Sequence, residues 1–403
     1  MVSVLLNTES DILDVLQKDG HIGPRKGENA DSTKVIPNWK QRVKAGLLLA
    51  SSFLFVIYQG SLALSATILL VQFMCYKEIL TIGYTINNNP RLPKFRMTVW
   101  YFFIVWNYTL IGESLGEQFR TVLHKNLLLS VIFDHSRFKG FCLYFAGIVL
   151  FVLSLAGKYD IKRFRLLAIV HVILVVITLP TYLLMKCSLE GMVWAVVPLS
   201  SVCLNDIFAY VFGKLMGKTP LILVSPNKTW EGFIGGVVGT IFSTIALSSV
   251  LCNFKHFICP TEYNEISEVI GINTNCTPSF PFEPNEYNLV PGLSLKFMPF
   301  VLDSFYIALF ASFIAPFAGF FASGFKRAFN MKDFSNTIPG HGGIIDRFDC
   351  QFLMAIFIYV YMSTFLKTSK FKKLYGRVMN LNDRDQLVFY DLLKSFLEEK
   401  HLL

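Results

Sequence analysis

The chain has 403 residues, 53% of them hydrophobic and 16% charged, with a mean hydropathy of +0.49; an ordinary soluble domain carries about a quarter charged residues, so the composition argues against a soluble globule. The 39 Phe and 16 Tyr bring the aromatic share to 15% and exclude disorder except at the ends. The net charge of +9 suits orientation in a bilayer, anionic lipid or a polyphosphate substrate, while the absence of a basic run with interleaved aromatics sets nucleic acid aside and the eight Cys, without a CxxC pair or Cys/His spacing, set aside a structural zinc site.

The stretch 1–44 is polar and mixed in charge, with no apolar run of signal-peptide length. Apolar runs of the length that crosses a bilayer, about 17 to 25 residues, follow at 45–62, 63–83, 98–116, 141–157, 166–185, 192–212, 233–251, 302–323 and 351–366. The expected fold is all-α: a polytopic membrane bundle over 45–366 with eight or nine transmembrane helices, the first two hardest to separate, and a tail at 367–403. Within that tail Phe389, Leu392, Leu393, Phe396 and Leu397 recur at helical spacing, which predicts an amphipathic helix over 383–398, expected to pack on the bundle, with binding to the membrane interface or a partner as the alternative.

With the amino terminus on the cytoplasmic side, the basic loops Arg91/Lys94/Arg96, Lys158/Lys162/Arg163/Arg165, Lys214/Lys218/Lys228 and Lys326/Arg327/Lys332 all face the cytoplasm, as the positive-inside rule requires. The loop with Arg120, Lys125, Arg137 and Lys139 disagrees, and the side of the tail stays open. The polar segment 253–299 then faces the lumen with the sequon Asn275-Cys276-Thr277, and there Cys259 and Cys276 either pair or remain thiols.

Two segments are far richer in polar and glycine residues than their flanks. The first holds Asn205, Asp206 and Tyr210, then Ser225-Pro226-Asn227-Lys228-Thr229-Trp230-Glu231-Gly232. Asp206 and Tyr210 share a helix face at i and i+4, and an ionisable group near a span is by default a functional candidate. Gly213 to Thr219 imitates a phosphate-binding P-loop, but its spacing is one residue short and a transmembrane run precedes it. Lys228 is the better phosphate candidate.

The second segment, 323–349, alternates Lys326, Arg327, Lys332 and Arg347 with Asp333, Asp346 and Asp349 around a glycine turn that holds His341. Asp346 and Asp349 project from one face if a helix begins near Ile344. Carboxylates of this kind suit Mg²⁺, which takes one or two of them plus substrate phosphates; a second ion is left open. Gly340, Gly342 and Gly343 admit close backbone approach, and the helix start offers unpaired N–H groups to phosphate.

Ser323-x-x-Lys326-Arg327, four residues, Lys332-Asp333, then Pro339-Gly340-His341-Gly342-Gly343-x-x-Asp346-Arg347-x-Asp349 resembles, at every fixed position, the signature of the phosphatidate cytidylyltransferases, or CDP-diacylglycerol synthases. The 205–232 segment is similar to the family's other motif, 141–144 and 319–323 resemble its eukaryotic branch, and the likeness runs from about Trp39 to the carboxyl end. The resemblance implies a Mg²⁺-dependent enzyme of the endoplasmic reticulum membrane that joins cytosolic CTP to phosphatidic acid, giving CDP-diacylglycerol and pyrophosphate for phospholipid synthesis. It implies Asp346 and Asp349 as metal ligands with Asp333 as a third carboxylate that either binds metal or orients Lys332. Lys326, Arg327, Lys332 and Arg347 then serve the phosphates, and His341 either donates to a phosphate or shapes the turn. Asn205, Asp206, Tyr210, Ser225, Lys228 and Glu231 fall on the nucleotide side, and Phe325, Phe329 and Phe334 either line the lipid path or only pack. A CTP-dependent polyprenol kinase and an anion or lipid transporter are the alternatives. Oligomeric state is left open.

Overall fold

The computed structural model describes residues 38–86, 93–118, 127–155, 161–222, 225–264, 269–272, 276, 278–290, 293–329, 331, 333–335, 337, 342–366, 374–375, 378–379 and 381–400. Chain contacts set off a compact unit, Arg42–Leu403, and the architecture is that of this unit. Its helices are α1 (Asn38–Gln59), α2 (Ser61–Ile86), α3 (Pro93–Gln118), α4 (Leu127–Phe133), α5 (Ser136–Ser154), α6 (Ile161–Ile173), α7 (Leu179–Glu190), α8 (Val193–Met216), α9 (Trp230–Leu251), α10 (Lys255–Ile258), α11 (Pro299–Phe313), α12 (Pro316–Ala328), α13 (Ile345–Phe365) and α14 (Asp383–Glu399). Strands pair only locally among the described residues: β1 (Pro220–Ile222) with β2 (Ser225–Thr229), β3 (Thr261–Asn264) with β4 (Val269–Ile272), and β5 (Asn285–Val290) with β6 (Leu293–Phe297), all antiparallel.

Seven helices among the described residues are long and apolar enough to cross a membrane: Ser61–Gly83, Ser136–Ser154, Arg163–Glu190, Val193–Met216, Trp230–Leu251, Pro299–Ala328 and Ile345–Phe365, with Val43–Gln59 a shorter apolar helix. That is fewer than the eight or nine expected: the 98–116 run forms α3 but is not among the seven, and the first run forms only the shorter apolar helix. The division of the first two is a glycine: Gly60 takes φ +101° and stops α1, two residues earlier than the sequence reading divides them. The expected single span at 302–323 is two helices, because Pro316 lacks the N–H that would continue α11 and instead sits at the first turn of α12. A π-turn, Leu174–Thr178, joins α6 to α7 just before Pro180.

Many large apolar side chains point outward, among them Leu70, Phe145, Leu153, Val176, Ile234 and Phe242. Such an apolar surface suits lipid rather than water. Inside, one cluster gathers Trp194, Phe300, Met354 and Ile358, with Trp194 meeting Phe300 edge-on at 4.7 Å, and another gathers Tyr76, Phe102 and Leu174. Helices α8 and α9 approach closely through small residues: a Cβ at Gly235 would lie 2.3 Å from the Phe212 ring, and one at Gly239 would lie 2.5 Å from the Phe208 ring. A ladder of polar pairs runs along the same contact, Thr240 Oγ1 to Asn205 Oδ1 at 3.4 Å and Thr244 Oγ1 to Ser201 Oγ at 3.0 Å, and Ser248 Oγ extends it to Ser304 Oγ on α11 at 2.9 Å.

The described residues of the 253–299 segment hold α10, the strand pairs β3–β4 and β5–β6 and the disulfide Cys259–Cys276, so the cysteines pair; Asn275 lies outside the described residues. Helix α14 forms as its periodicity requires, but none of its residues is buried, which departs from the expected packing on the bundle.

Candidate active site

Helix α12 ends in Lys326 and Arg327, cations in the last turn where carbonyl dipoles favour them, and α13 begins with Asp346 in its first turn. Lys326 Nζ lies 2.5 Å from Asp346 Oδ1, and the side chains are 16% and 5% exposed. The other carboxylate oxygen of Asp346 accepts from the backbone N–H groups of Phe334 and Gly343, each at 3.1 Å. Asp346 therefore closes the loop between the two helices on itself. Gly342 turns that loop with φ +81°, a left-handed conformation that favours glycine, and a Cβ there would lie 3.2 Å from Asp333 Oδ1 and 3.4 Å from Asp346 Oδ2. Asp333 and Asp346 thus border one point. Phe325, Phe329 and Phe334 pack on one another, with ring centroids 4.6 Å apart for Phe325 and Phe329 and 5.9 Å for Phe325 and Phe334.

Asp349 accepts from Cys350 N at 2.7 Å, and its other oxygen lies 3.5 Å from where a Gly319 Cβ would stand. Gly319 and Lys326 are both on α12, so the i, i+3 pair Asp346 and Asp349 does turn toward one neighbour. Asp349 interacts electrostatically with Asp206 and Lys228, and Asp206 with Lys228 and Arg347. This brings the two motif segments together. Lys228 Nζ also sits over the Phe320 ring of α12, 4.4 Å from its centroid. A cavity of about 290 Å³ opens here, lined by Asn205, Asp206, Tyr210, Lys214, Lys228 and Phe320.

Asn205 is buried and accepts from Thr240, whereas Tyr210 is exposed on the cavity rim. Glu231 turns to its own chain, accepting from Lys218 N at 3.1 Å and Thr219 Oγ1 at 2.9 Å, and so fixes the turn that leads into β1. Thr229 caps α9 by accepting from Gly232 N at 3.2 Å. The Gly213 to Met216 stretch is the last turn of α8 rather than a phosphate loop between strand and helix. Ser225 is placed by its backbone, paired with Ile222. Lys332, Gly340 and His341 lie outside the described residues.

One participant went unread in the sequence. Glu78 of α2 is 7% exposed, and its carboxylate accepts from Ser335 Oγ at 2.6 Å, Thr337 Oγ1 at 2.5 Å, Ile344 N at 3.0 Å and Ile345 N at 3.1 Å. An acidic residue inside an apolar run was its signal.

Among the described residues no group of three or more His, Cys, Asp or Glu is arranged around a metal position. The carboxylates come in twos, Asp333 beside Asp346 and Asp206 within charge range of Asp349. That donor set fits a hard cation such as Mg²⁺, which needs only one or two protein carboxylates when phosphates and water complete its shell.

The Cytidylyltransferase family model matches residues 40–365. Phosphatidate cytidylyltransferase 1 of Rattus norvegicus is 43% identical over 373 residues, covering 91% of this chain and 80% of the relative. Phosphatidate cytidylyltransferase 2 of Mus musculus is 41% identical over 374 residues, 91% and 84% of the two chains, and phosphatidate cytidylyltransferase of Caenorhabditis elegans is 38% identical over 381 residues, 91% and 81%. With its fold, its paired charge clusters and this match over most of its length, the chain belongs to the cytidylyltransferase family.

Proposed function

We propose that the protein transfers the cytidylyl group of CTP to phosphatidic acid, releasing pyrophosphate and leaving CDP-diacylglycerol in the bilayer. The observation that carries this reading is the meeting of the two motif segments: Asp206 and Lys228 line a cavity, Asp349 lies within charge range of both, and the Lys326–Asp346 pair joins α12 to the same helix α13 at an end of an apolar helical bundle. A lipid headgroup held in the membrane and a water-soluble triphosphate have to meet at such a boundary.

An oxygen of the lipid phosphate attacks the α-phosphorus of CTP, and the bond from that phosphorus to the β-bridging oxygen breaks, so pyrophosphate leaves with the electron pair. Both reactants are polyanions. Lys326 and Arg327 at the end of α12, with Lys228 in the cavity wall and Arg347 within charge range of Asp206, offset their repulsion and hold them in line; Lys332 and His341 serve the leaving pyrophosphate. Asn205, Tyr210 and Ser225 belong to the nucleotide side, with Glu231 holding the turn beneath it. Gly340, Gly342 and Gly343 let the backbone approach the phosphates. Asp346 and Asp349, with Asp333 and Asp206 next to them, are the carboxylates that would hold Mg²⁺, which supplies charge neutralisation to the triphosphate. Lys326 and Asp346 then part when substrate arrives, the lysine exchanging a carboxylate for a phosphate oxygen.

The active end faces the cytosol from the endoplasmic reticulum membrane, because the basic loops lie there and CTP is a cytosolic solute, while the Cys259–Cys276 disulfide belongs to the lumen, which permits it. The test is incorporation of cytidine label into lipid by the purified enzyme with phosphatidic acid, dolichol or diacylglycerol as acceptor. Cytidine label in lipid with phosphatidic acid alone supports the reading; cytidine label recovered only as CDP, with dolichol converted to dolichyl phosphate, would sink it.

A further inference from the structure

Glu78 belongs to no motif, yet it joins both ends of the loop that carries Asp333, Gly342, Gly343 and Asp346. Two of its four donors, Ile344 N and Ile345 N, are the opening N–H groups of α13, which have no partner within the helix. The other two, Ser335 Oγ and Thr337 Oγ1, lie at the far side of the loop, just past Asp333. Gly343 is wedged between carboxylates: a Cβ there would stand 3.0 Å from Glu78 Oε2 and 3.0 Å from Asp346 Oδ2. The loop is thus held from one side by Glu78 of α2 and from the other by Asp346 with Lys326.

Resting on the function proposed above, we infer that Glu78 is a positioning residue for cytidylyl transfer, fixing from a separate helix the loop whose carboxylates would hold Mg²⁺ and whose glycines admit the phosphates. Only a carboxylate of this length fits the role. Gln would turn an NH₂ donor toward hydroxyl or backbone donors, and Asp would fall short of one side of the loop.

The test compares Glu78→Gln, Glu78→Asp and the pair Ser335→Ala/Thr337→Ala with the wild type, all as full chains in lipid nanodiscs. The readouts are thermal midpoint, kcat, KM for each substrate, and the rate of tryptic cleavage after Lys326 and Arg327. Glu78→Gln is expected to lower kcat per folded molecule about ten- to a hundredfold, with KM for phosphatidic acid within about twofold and faster tryptic cleavage. On an Asp346→Asn background the same change is expected to cost less than about threefold further, since both act through one loop. Should Glu78→Gln not fold, Ser335→Ala/Thr337→Ala removes donors from the loop alone and is expected to lower kcat at an unchanged midpoint. Wild-type kcat in the folded Gln variant or in the double alanine variant, or losses that multiply fully with Asp346→Asn, overturns the inference. A wild type that makes no CDP-lipid, while Glu78→Gln still opens the loop to trypsin, overturns the proposed function and leaves the anchoring standing.

Discussion

Lys326 and Asp346 form a pair that water hardly reaches, and a buried charge that loses its partner is costly, about 3–5 kcal/mol. Lys326→Met is therefore expected to destabilise the protein by about 3 kcal/mol, toward the lower figure because the lysine keeps some solvent, as read from denaturant unfolding in detergent. Asp346→Asn differs in kind. The amide keeps the size of the carboxylate and can accept from Phe334 N and Gly343 N, but it loses the charge that a cation or a lysine needs. Turnover per folded molecule is expected to fall at least about tenfold, with a shift of the Mg²⁺ titration to higher concentration; unchanged turnover at low Mg²⁺ would remove Asp346 from the set that holds the metal. Asp346 stood out as a candidate because seven charged residues crowd within 27 positions of sequence around it, and its pairing with Lys326 joins two of them. Glu78 did not stand out, since Ser335, the nearest of its partners in sequence, stands 257 residues away and spacing carries no signal over that distance.

Among the elements, the contact of α8 with α9 decides where Asp206 and Lys228 sit, since α8 carries the first and the strand leading into α9 carries the second. Gly232 permits that contact: a Cβ there would lie 2.7 Å from the backbone oxygen of Ala209 and 3.0 Å from Gly213 Cα, atoms that cannot rotate away. Gly232→Ala is expected to cost about 1–3 kcal/mol by overpacking, and to raise KM for CTP more than KM for phosphatidic acid, both measurable on the purified variant. An unchanged thermal midpoint would mean that the helices move apart freely. Long apolar runs revealed the helices themselves. Hydropathy did not reveal the break before Pro316, because Ile314 and Ala315 are as apolar as the helices on either side, nor the β1–β2 hairpin, whose strands are short and lie on the polar side of the motif. The amphipathic period of α14 predicted a helix correctly and its docking wrongly: Leu392 and Phe396 stay 64% and 50% exposed, and a periodic apolar face says only that something covers it.

At the largest scale, helix α9, Trp230–Leu251, stands between Lys228 at its start and the Cys259–Cys276 disulfide beyond its end. Replacing Cys259 and Cys276 by Ser is expected to cost about 3 kcal/mol, as their sequence separation of 17 implies, and to leave kcat unchanged in detergent-solubilised enzyme; a comparable loss of kcat would tie the two ends together. That apolar spans build a membrane bundle was legible from composition and run length. How the two motif segments meet was not, because Lys228 and Asp349 come together only when α8, α9, α12 and α13 pack. Cytidylyl transfer and phosphoryl transfer differ in which phosphorus of CTP is attacked. Purified enzyme in phosphatidic-acid vesicles, given CTP labelled at the α- or at the γ-phosphate with Mg²⁺ or with chelator, measures this directly. The α-label is expected to enter lipid and the γ-label to leave as pyrophosphate, both only with the divalent cation; γ-label in lipid with CDP released would contradict the account.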